Sequence, residues 1–306
     1  MDSDLLELRR SKAREWEAQR TKRPVSRSRS PRRVPMDIDT VSTIESIQVL
    51  TWNVDGLNEN SDEDDLLGRT LWIVQEIDRA RPHVVFLQEL VALSFSIIEQ
   101  KCKNSFHVFR QVQSDQPYFV AILIHKATMD IVGDPVRVPF PNSQMGREGL
   151  FVSAKLKNKL QRATPLIGFL TAHLESLRDY GSERKNQFEI CTKFIQNLTN
   201  VDFSIFGGDL NARDSDVPKA VTAHDCWVLA GRPATHQYTW DLTLNKNVSF
   251  PNGAQPRCRF DRMYLIPGKD PKDHTVTQFR LIGTELIPNL RHPSDHFGVL
   301  VGIKVT

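Results

Sequence analysis

The sequence predicts an α/β fold: a two-layer β-sandwich of mixed sheets flanked by helices. Three observations predict it. Short apolar runs recur from Ile47 to Val305, helical apolar spacing appears between some of them, and no Gly/Pro/Ser-rich linker interrupts residues 45–306. Many strands with few helices bury their apolar faces best as two stacked sheets with helices outside, so residues 45–306 are expected to form one domain.

The strand-like runs are Ile47–Trp52, Val84–Leu87, Tyr118–His125, Leu150–Leu156, Pro165–Thr171, Phe203–Phe206, Arg259–Ile266 and Phe297–Val305. Helical spacing appears at Leu67, Leu71, Val74 and Ile77, and again at Phe188, Cys191, Phe194/Ile195 and Leu198. Residues 1–44 differ in kind. They carry 11 Lys/Arg against 7 Asp/Glu, whereas the remaining 262 residues carry 29 against 30. Seven of the basic residues fall between Arg20 and Arg33, interleaved with serines and prolines and without an acid. Such a segment cannot bury enough apolar surface to offset its ordering entropy, so a disordered basic tail is expected, with a weakly patterned helix over Leu5–Trp16. A basic tail of this kind suits nuclear import or nucleic-acid tethering.

Several function classes are excluded early. No run approaches the roughly 20 apolar residues of a membrane span, and no apolar stretch near Met1 resembles a signal peptide. Cys102, Cys191, Cys226 and Cys258 lie far apart without a C-x-x-C pair, which argues against a disulfide scaffold or structural zinc and for a reducing compartment. The nearly neutral body argues against a broad nucleic-acid surface but leaves room for a narrow groove.

Polar residues sit where the apolar runs end. Ile47–Trp52 leads into Asn53 and Asp55, Val84–Leu87 into Gln88 and Glu89, Pro165–Thr171 into His173, and Phe203–Phe206 into Asp209 and Asn211. Near the C-terminus the order reverses: Asp261 lies early in its run, and Asp295 and His296 precede theirs. If the late strands run antiparallel to the early ones, all these side chains meet on one rim. Clustered carboxylates repel one another unless a cation is present, and oxygen donors suit a hard ion, Mg²⁺ or Mn²⁺. Such an ion with two histidines as donors points to phosphate-ester chemistry.

Four segments carry a resemblance. Thr51-Trp52-Asn53-Val54-Asp55-Gly56-Leu57, Leu87-Gln88-Glu89, Gly208-Asp209-Leu210-Asn211 and Ser294-Asp295-His296 resemble, in order and spacing, the signatures of the endonuclease/exonuclease/phosphatase superfamily. Three further blocks, His173–Arg178, Gln237–Asp241 and Arg259–Arg262, together with Asn211-Ala212-Arg213-Asp214 and Tyr118-Phe119, resemble its branch that hydrolyses 5′-phosphotyrosyl bonds between DNA and a trapped protein such as topoisomerase II. Two other branches are the alternatives. Abasic-site endonucleases typically have Thr-Lys where this chain has Leu90-Val91, and inositol polyphosphate 5-phosphatases have S-H-L-A-A where it has Ala172-His173-Leu174-Glu175-Ser176. One departure is Phe297, where the family usually has Trp; it reads as a conservative packing change.

The resemblance implies a Mg²⁺-dependent phosphodiesterase, with Mn²⁺ as a possible substitute, that repairs DNA in the nucleus and also in the cytoplasm. It implies DNA 5′ ends, single-stranded or with a short overhang, as substrate, and a monomer without membrane contact. Glu89 is implied as metal ligand and Asp55 as a second metal-associated group. Asp209 would orient water. Asn53 and Asn211 would donate to the phosphate or to Asp209. His296, held by Asp261, and His173 would donate to phosphoryl oxygens. Ser176, Arg178, Arg213 and Arg147 would hold the DNA backbone. Tyr118, Trp240 and Phe260 offer flat surfaces to a sugar or base, and Asp295 adjoins the substrate.

Overall fold

A computed structural model describes residues 46–58, 60–111, 116–157, 164–218, 222–268, 275–288 and 290–305. The basic tail and the helix expected over Leu5–Trp16 lie outside the described residues.

In chain order the elements are β1 (Ser46–Asn53), α1 (Glu63–Ala80), β2 (Val84–Val91), α2 (Ala92–Cys102), β3 (Phe106–Arg110), β4 (Tyr118–His125), β5 (Met129–Ile131), β6 (Val136–Pro139), β7 (Glu148–Leu156) and β8 (Leu166–Ala172). They continue with α3 (Gly181–Gln196), β9 (Phe203–Asp209), β10 (His224–Asp225), α4 (Cys226–Leu229), β11 (Trp240–Asp241), β12 (Arg257–Cys258), β13 (Asp261–Pro267), β14 (Val276–Ile282) and β15 (Gly298–Lys304). One sheet runs β14-β15-β1-β2-β4-β3; the other runs β10-β13-β9-β8-β7-β5, with β6 also on β7.

Alternation along the strands builds the layers. Ile47, Val49, Phe86, Ile122, Val299 and Val301 of the first sheet face Val152, Phe169, Ile205 and Met263 of the second in one buried core. The outer face of the first sheet packs Leu50, Trp52 and Val85 under Ile73, Ile77 and Ile98 of α1 and α2. The outer face of the second packs Leu170, Phe206 and Tyr264 under Phe188, Cys191 and Ile195 of α3. Helix α1 starts where the Asp62 carboxylate accepts the Asp65 N–H at 2.8 Å, and it ends at Arg81 in the left-handed conformation (φ 48°).

All eight strand-like runs are strands, and both helical patterns are helices. Several boundaries shift: the runs from Arg259 and Phe297 begin regular pairing only at Asp261 and Gly298, while those from Val84, Leu150 and Phe203 extend to Val91, Glu148 and Asp209. Polarity is as the strand ends require. β1 and β2 are parallel, as are β8 and β9, while β15 is antiparallel to β1 and β13 to β9. The four cysteines are free, and Cys102, Cys191 and Cys226 are buried. Phe297 is fully buried, its ring edge-on to His292 at 5.4 Å.

Candidate active site

The two parallel pairs end, and the two antiparallel strands begin, on the same rim. Asp261 is the register partner of Asp209, and Asn53 that of Gln88. The side chains that these ends carry meet around one amide. Asn53 Nδ2 donates to Glu89 Oε1 and to Asp209 Oδ2, each at 2.9 Å, while its Oδ1 accepts the Asp55 N–H at 3.0 Å. His173 Nε2 lies 3.3 Å from Asp209 Oδ2 and 3.8 Å from Glu89 Oε1. His296 Nε2 lies 3.8 Å from Asp209 Oδ2, and its Nδ1 is 2.7 Å from Asp261 Oδ2.

Backbone geometry places these groups. Asp55, Glu89 and Asn211 all have positive φ, at 52°, 53° and 48°. Such turns swing each side chain out of the strand pleat toward the rim, at a conformational cost that local bonds offset. For Asn211 these bonds run from its N–H to Asp209 Oδ1 at 3.1 Å and from its Nδ2 to Leu174 O and Ser176 Oγ. Two glycines permit close approach. A Cβ on Gly208 (φ 150°) would lie 1.9 Å from the Ala172 carbonyl oxygen, and one on Gly56 would lie 2.2 Å from that of Glu89.

Charge divides the site in two. Burial first, then Asp295, pushes the Glu89 and Asp55 carboxyls up to about 7. On Asp209 burial also pushes upward, but the His296 charge and the Asn53 hydrogen bond outweigh it, so the carboxyl sits below its usual range. His296 is held well above its ordinary value: burial opposes this, and Asp261, Asp295 and Asp209 override it. His173 is driven well below the usual histidine range by burial and by Arg147. It is neutral, and neither ring nitrogen has a hydrogen-bond partner among the described residues.

The donor set fits a hard divalent ion. Ligand atoms of Glu89, His173 and Asp209 all lie within 4.8 Å of one another, and the Glu89 side chain keeps 21% of its surface open. Asp295 disfavours the charge of both Asp55 and Glu89, a repulsion that a cation relieves. Asp55 stands outside the Glu89–His173–Asp209 trio; its carboxylate accepts Asn58 Nδ2 at 2.7 Å and lies 3.7 Å from the Arg69 guanidinium.

The outlying candidates ring this centre. Ser176 is half-buried and bonded to Asn211, while Arg178 and Arg213 are exposed. The Trp240 indole N–H donates to Asp295 Oδ2 at 3.0 Å, and its ring is tilted 5.7 Å from Phe260. Two of these side chains also contact each other. The Arg147 guanidinium does not project freely: it donates to Leu174 O and, at 3.2 Å, to the Tyr118 hydroxyl. It also lies 5.6 Å over the Tyr118 ring and covers one face of that ring.

Three residues have supporting roles that a reading of the sequence does not reveal, although Glu175 and Ser294 lie within the blocks named above. The buried Arg69 guanidinium donates to Val54 O, Asp55 O and Pro293 O at 3.0–3.3 Å, fastening the Asp55 turn to the Asp295-His296 turn. Its only signal is an arginine within the apolar stripe of α1. Buried Glu175 accepts from Ser143 Oγ, the Gln144 and Met145 N–H groups and Gln187 Nε2, which fixes the loop that carries Arg147. Ser294 Oγ donates to Asn53 O at 2.7 Å across 241 positions of sequence.

Known proteins share this architecture. Tyrosyl-DNA phosphodiesterase 2 from Bos taurus is 31% identical over 260 residues, spanning 84% of this chain and 67% of the relative. The Rattus norvegicus protein of that name is 32% identical over 265 residues, spanning 85% and 67%. The crystal structure of D. rerio TDP2 complexed with single-strand DNA product superposes with a TM-score of 0.74 at 28% identity, covering 85% of this chain and 99% of that one. Truncated Caenorhabditis elegans TDP2 gives 0.71 at 29%, covering 85% and 98%. The human Nocturnin catalytic domain, at 16% identity and a TM-score of 0.64 over 86% of this chain and 94% of that one, shares the fold. No family model matches the chain. By the extent and identity of these matches, the chain belongs to the tyrosyl-DNA phosphodiesterase 2 family.

Proposed function

We propose that the protein hydrolyses the phosphodiester between a tyrosine oxygen and a DNA 5′ end, leaving a 5′-phosphate, with Mg²⁺ as its metal and Mn²⁺ as a substitute. The observation that carries this reading is the meeting of Asn53, Glu89, Asp209, His173 and His296 on one rim, in a chain of this family. The D. rerio relative was crystallised with a single-strand DNA product, which supports DNA as the substrate class.

Glu89 would hold the metal, with Asp55 contributing charge nearby. The bound ion supplies positive charge to a non-bridging phosphoryl oxygen. Asp209 aims the attacking water. A carboxylate held below its usual range is a weak base, so its work is chiefly orientation, and Asn53 and Asn211 fix its two oxygens. His296 is cationic, and its Asp261 bond at Nδ1 leaves Nε2–H to stabilise charge on the equatorial oxygens. Neutral His173 offers one N–H to another oxygen. The leaving phenolate has a conjugate acid of pKa about 10, well below that of a sugar alcohol, so the site needs no dedicated acid opposite Asp209.

The test is turnover with Mg²⁺ on a 5′-tyrosyl oligonucleotide, its 3′-linked isomer, an abasic duplex and inositol polyphosphates. The expected result is cleavage of the 5′-tyrosyl substrate well above the others. Preference for the abasic duplex or an inositol phosphate overturns the substrate assignment.

A further inference from the structure

Leu177 combines two unfavourable features in one residue. Its backbone has φ 66° and ψ 155°, a region that is essentially glycine-only, and its side chain is 68% exposed. A leucine gains nothing from either: the conformation crowds its Cβ, and exposure forgoes the burial that normally rewards its apolar surface.

The surroundings enforce this arrangement. Arg184 of α3 is buried, and its Nη1 donates to three consecutive carbonyls: Glu175 O at 3.0 Å, Ser176 O at 3.3 Å and Leu177 O. Its Nε lies 3.5 Å from Asp216, and that carboxylate also accepts the Arg213 N–H at 3.1 Å. Ser176 Oγ meanwhile accepts from Asn211 Nδ2. The segment after His173 is therefore clamped to the turn after Asp209. Ser176 is held toward the catalytic side chains, while Leu177 is held out in solvent between two residues assigned above to the DNA backbone, Ser176 and Arg178. Between two phosphate contacts on an extended strand lies a nucleoside, whose sugar ring and base face offer apolar surface.

We propose that Leu177 is a substrate-contact residue that packs against the sugar and base of a nucleotide at the single-stranded 5′ end, and that Arg184 is the positioning residue that presents it. This rests on the DNA reading above. The strained turn is kept because the bound strand covers the leucine. The contact is with an apolar surface that every nucleotide has, so it confers grip on a frayed end rather than choice of base.

The experiment compares Leu177→Gly and Leu177→Ala with the unaltered protein. It measures the affinity of each for a fluorescent 5′-phosphorylated single-stranded oligonucleotide by anisotropy, and each thermal midpoint without DNA. Both variants should bind about tenfold more weakly. Only the glycine variant should also gain stability, by about 3 °C, because glycine relieves the backbone strain. Weaker binding combined with higher stability separates a contact with DNA from a merely structural role, which would move both in the same direction. Unchanged affinity in both variants overturns the proposal. A loss confined to one base at the 5′ end overturns the nucleoside contact as described. Absence of binding by the unaltered protein instead overturns the DNA reading itself.

Discussion

The two halves of the candidate site handle charge in opposite ways. Around Asp261, His296 and Asp209 the protein balances its own ions: a buried cationic histidine sits between two carboxylates and keeps Asp209 ionised. Around Glu89, Asp55 and Asp295 it leaves the balance open, and burial with repulsion from Asp295 lifts the Glu89 and Asp55 carboxyls to about 7. The first half is preorganised for charge that develops during reaction, and the second carries carboxylate repulsion that a cation would offset. Asn53 joins them, donating to one carboxylate of each half.

The largest expected effect breaks the self-balanced half. Asp209→Asn keeps the shape but removes the carboxylate charge that aims the water, so turnover should fall by about 10³-fold while affinity for product DNA stays within about twofold. Near-normal turnover with Mg²⁺ would refute the role of Asp209. Next, Glu89→Gln should abolish the calorimetric Mg²⁺ signal and lower kcat by about 10²-fold, while leaving the Asp261–His296 bond in place. Asp261→Asn removes the strongest partner of the His296 imidazolium, so kcat should fall about 10–100-fold. The sign of the accompanying shift follows from the raised pKa: without Asp261, His296 loses its proton at lower pH, and the alkaline limb of the pH–rate profile should move down. In the open half, a proton competes with the metal on Glu89. Apparent Mg²⁺ affinity should therefore weaken about tenfold for each unit that pH falls below about 7, measured by titration at fixed ionic strength. The smallest effect is peripheral: Trp240→Ala should weaken oligonucleotide binding about fivefold and slow chemistry less.

What the sequence makes legible follows from local physics. Apolar runs bounded by polar residues give strand positions, and the reversal of order at Asp261 and His296 gives strand direction, so the rim itself can be read before the fold is known. Elements with weaker local signatures are missed. β14 alternates poorly because it is an edge strand with Thr277, Gln278 and Arg280 toward solvent, and β3 and β6 are short edges as well. Helix α2 follows β2 without a break, opened by the Ser94 hydroxyl that accepts the Val91 N–H at 3.0 Å, so its residues read as a continued apolar stretch. The supporting bonds are illegible for another reason: Arg69 to Pro293 spans 224 positions and Ser294 to Asn53 spans 241, and no local pattern encodes them.

The bridging amide has a mechanical consequence. Glu89 belongs to one sheet and Asp209 to the other, so Asn53 acts as a rivet through both plates of the sandwich at their working edge. Sliding of one plate over the other would lengthen its bond to Asp209, together with the Gln88 Nε2–Thr171 Oγ1 bond that also crosses between the sheets. The fit of Phe86 against Phe169, deep between the plates, thereby becomes part of the alignment tolerance of the reaction.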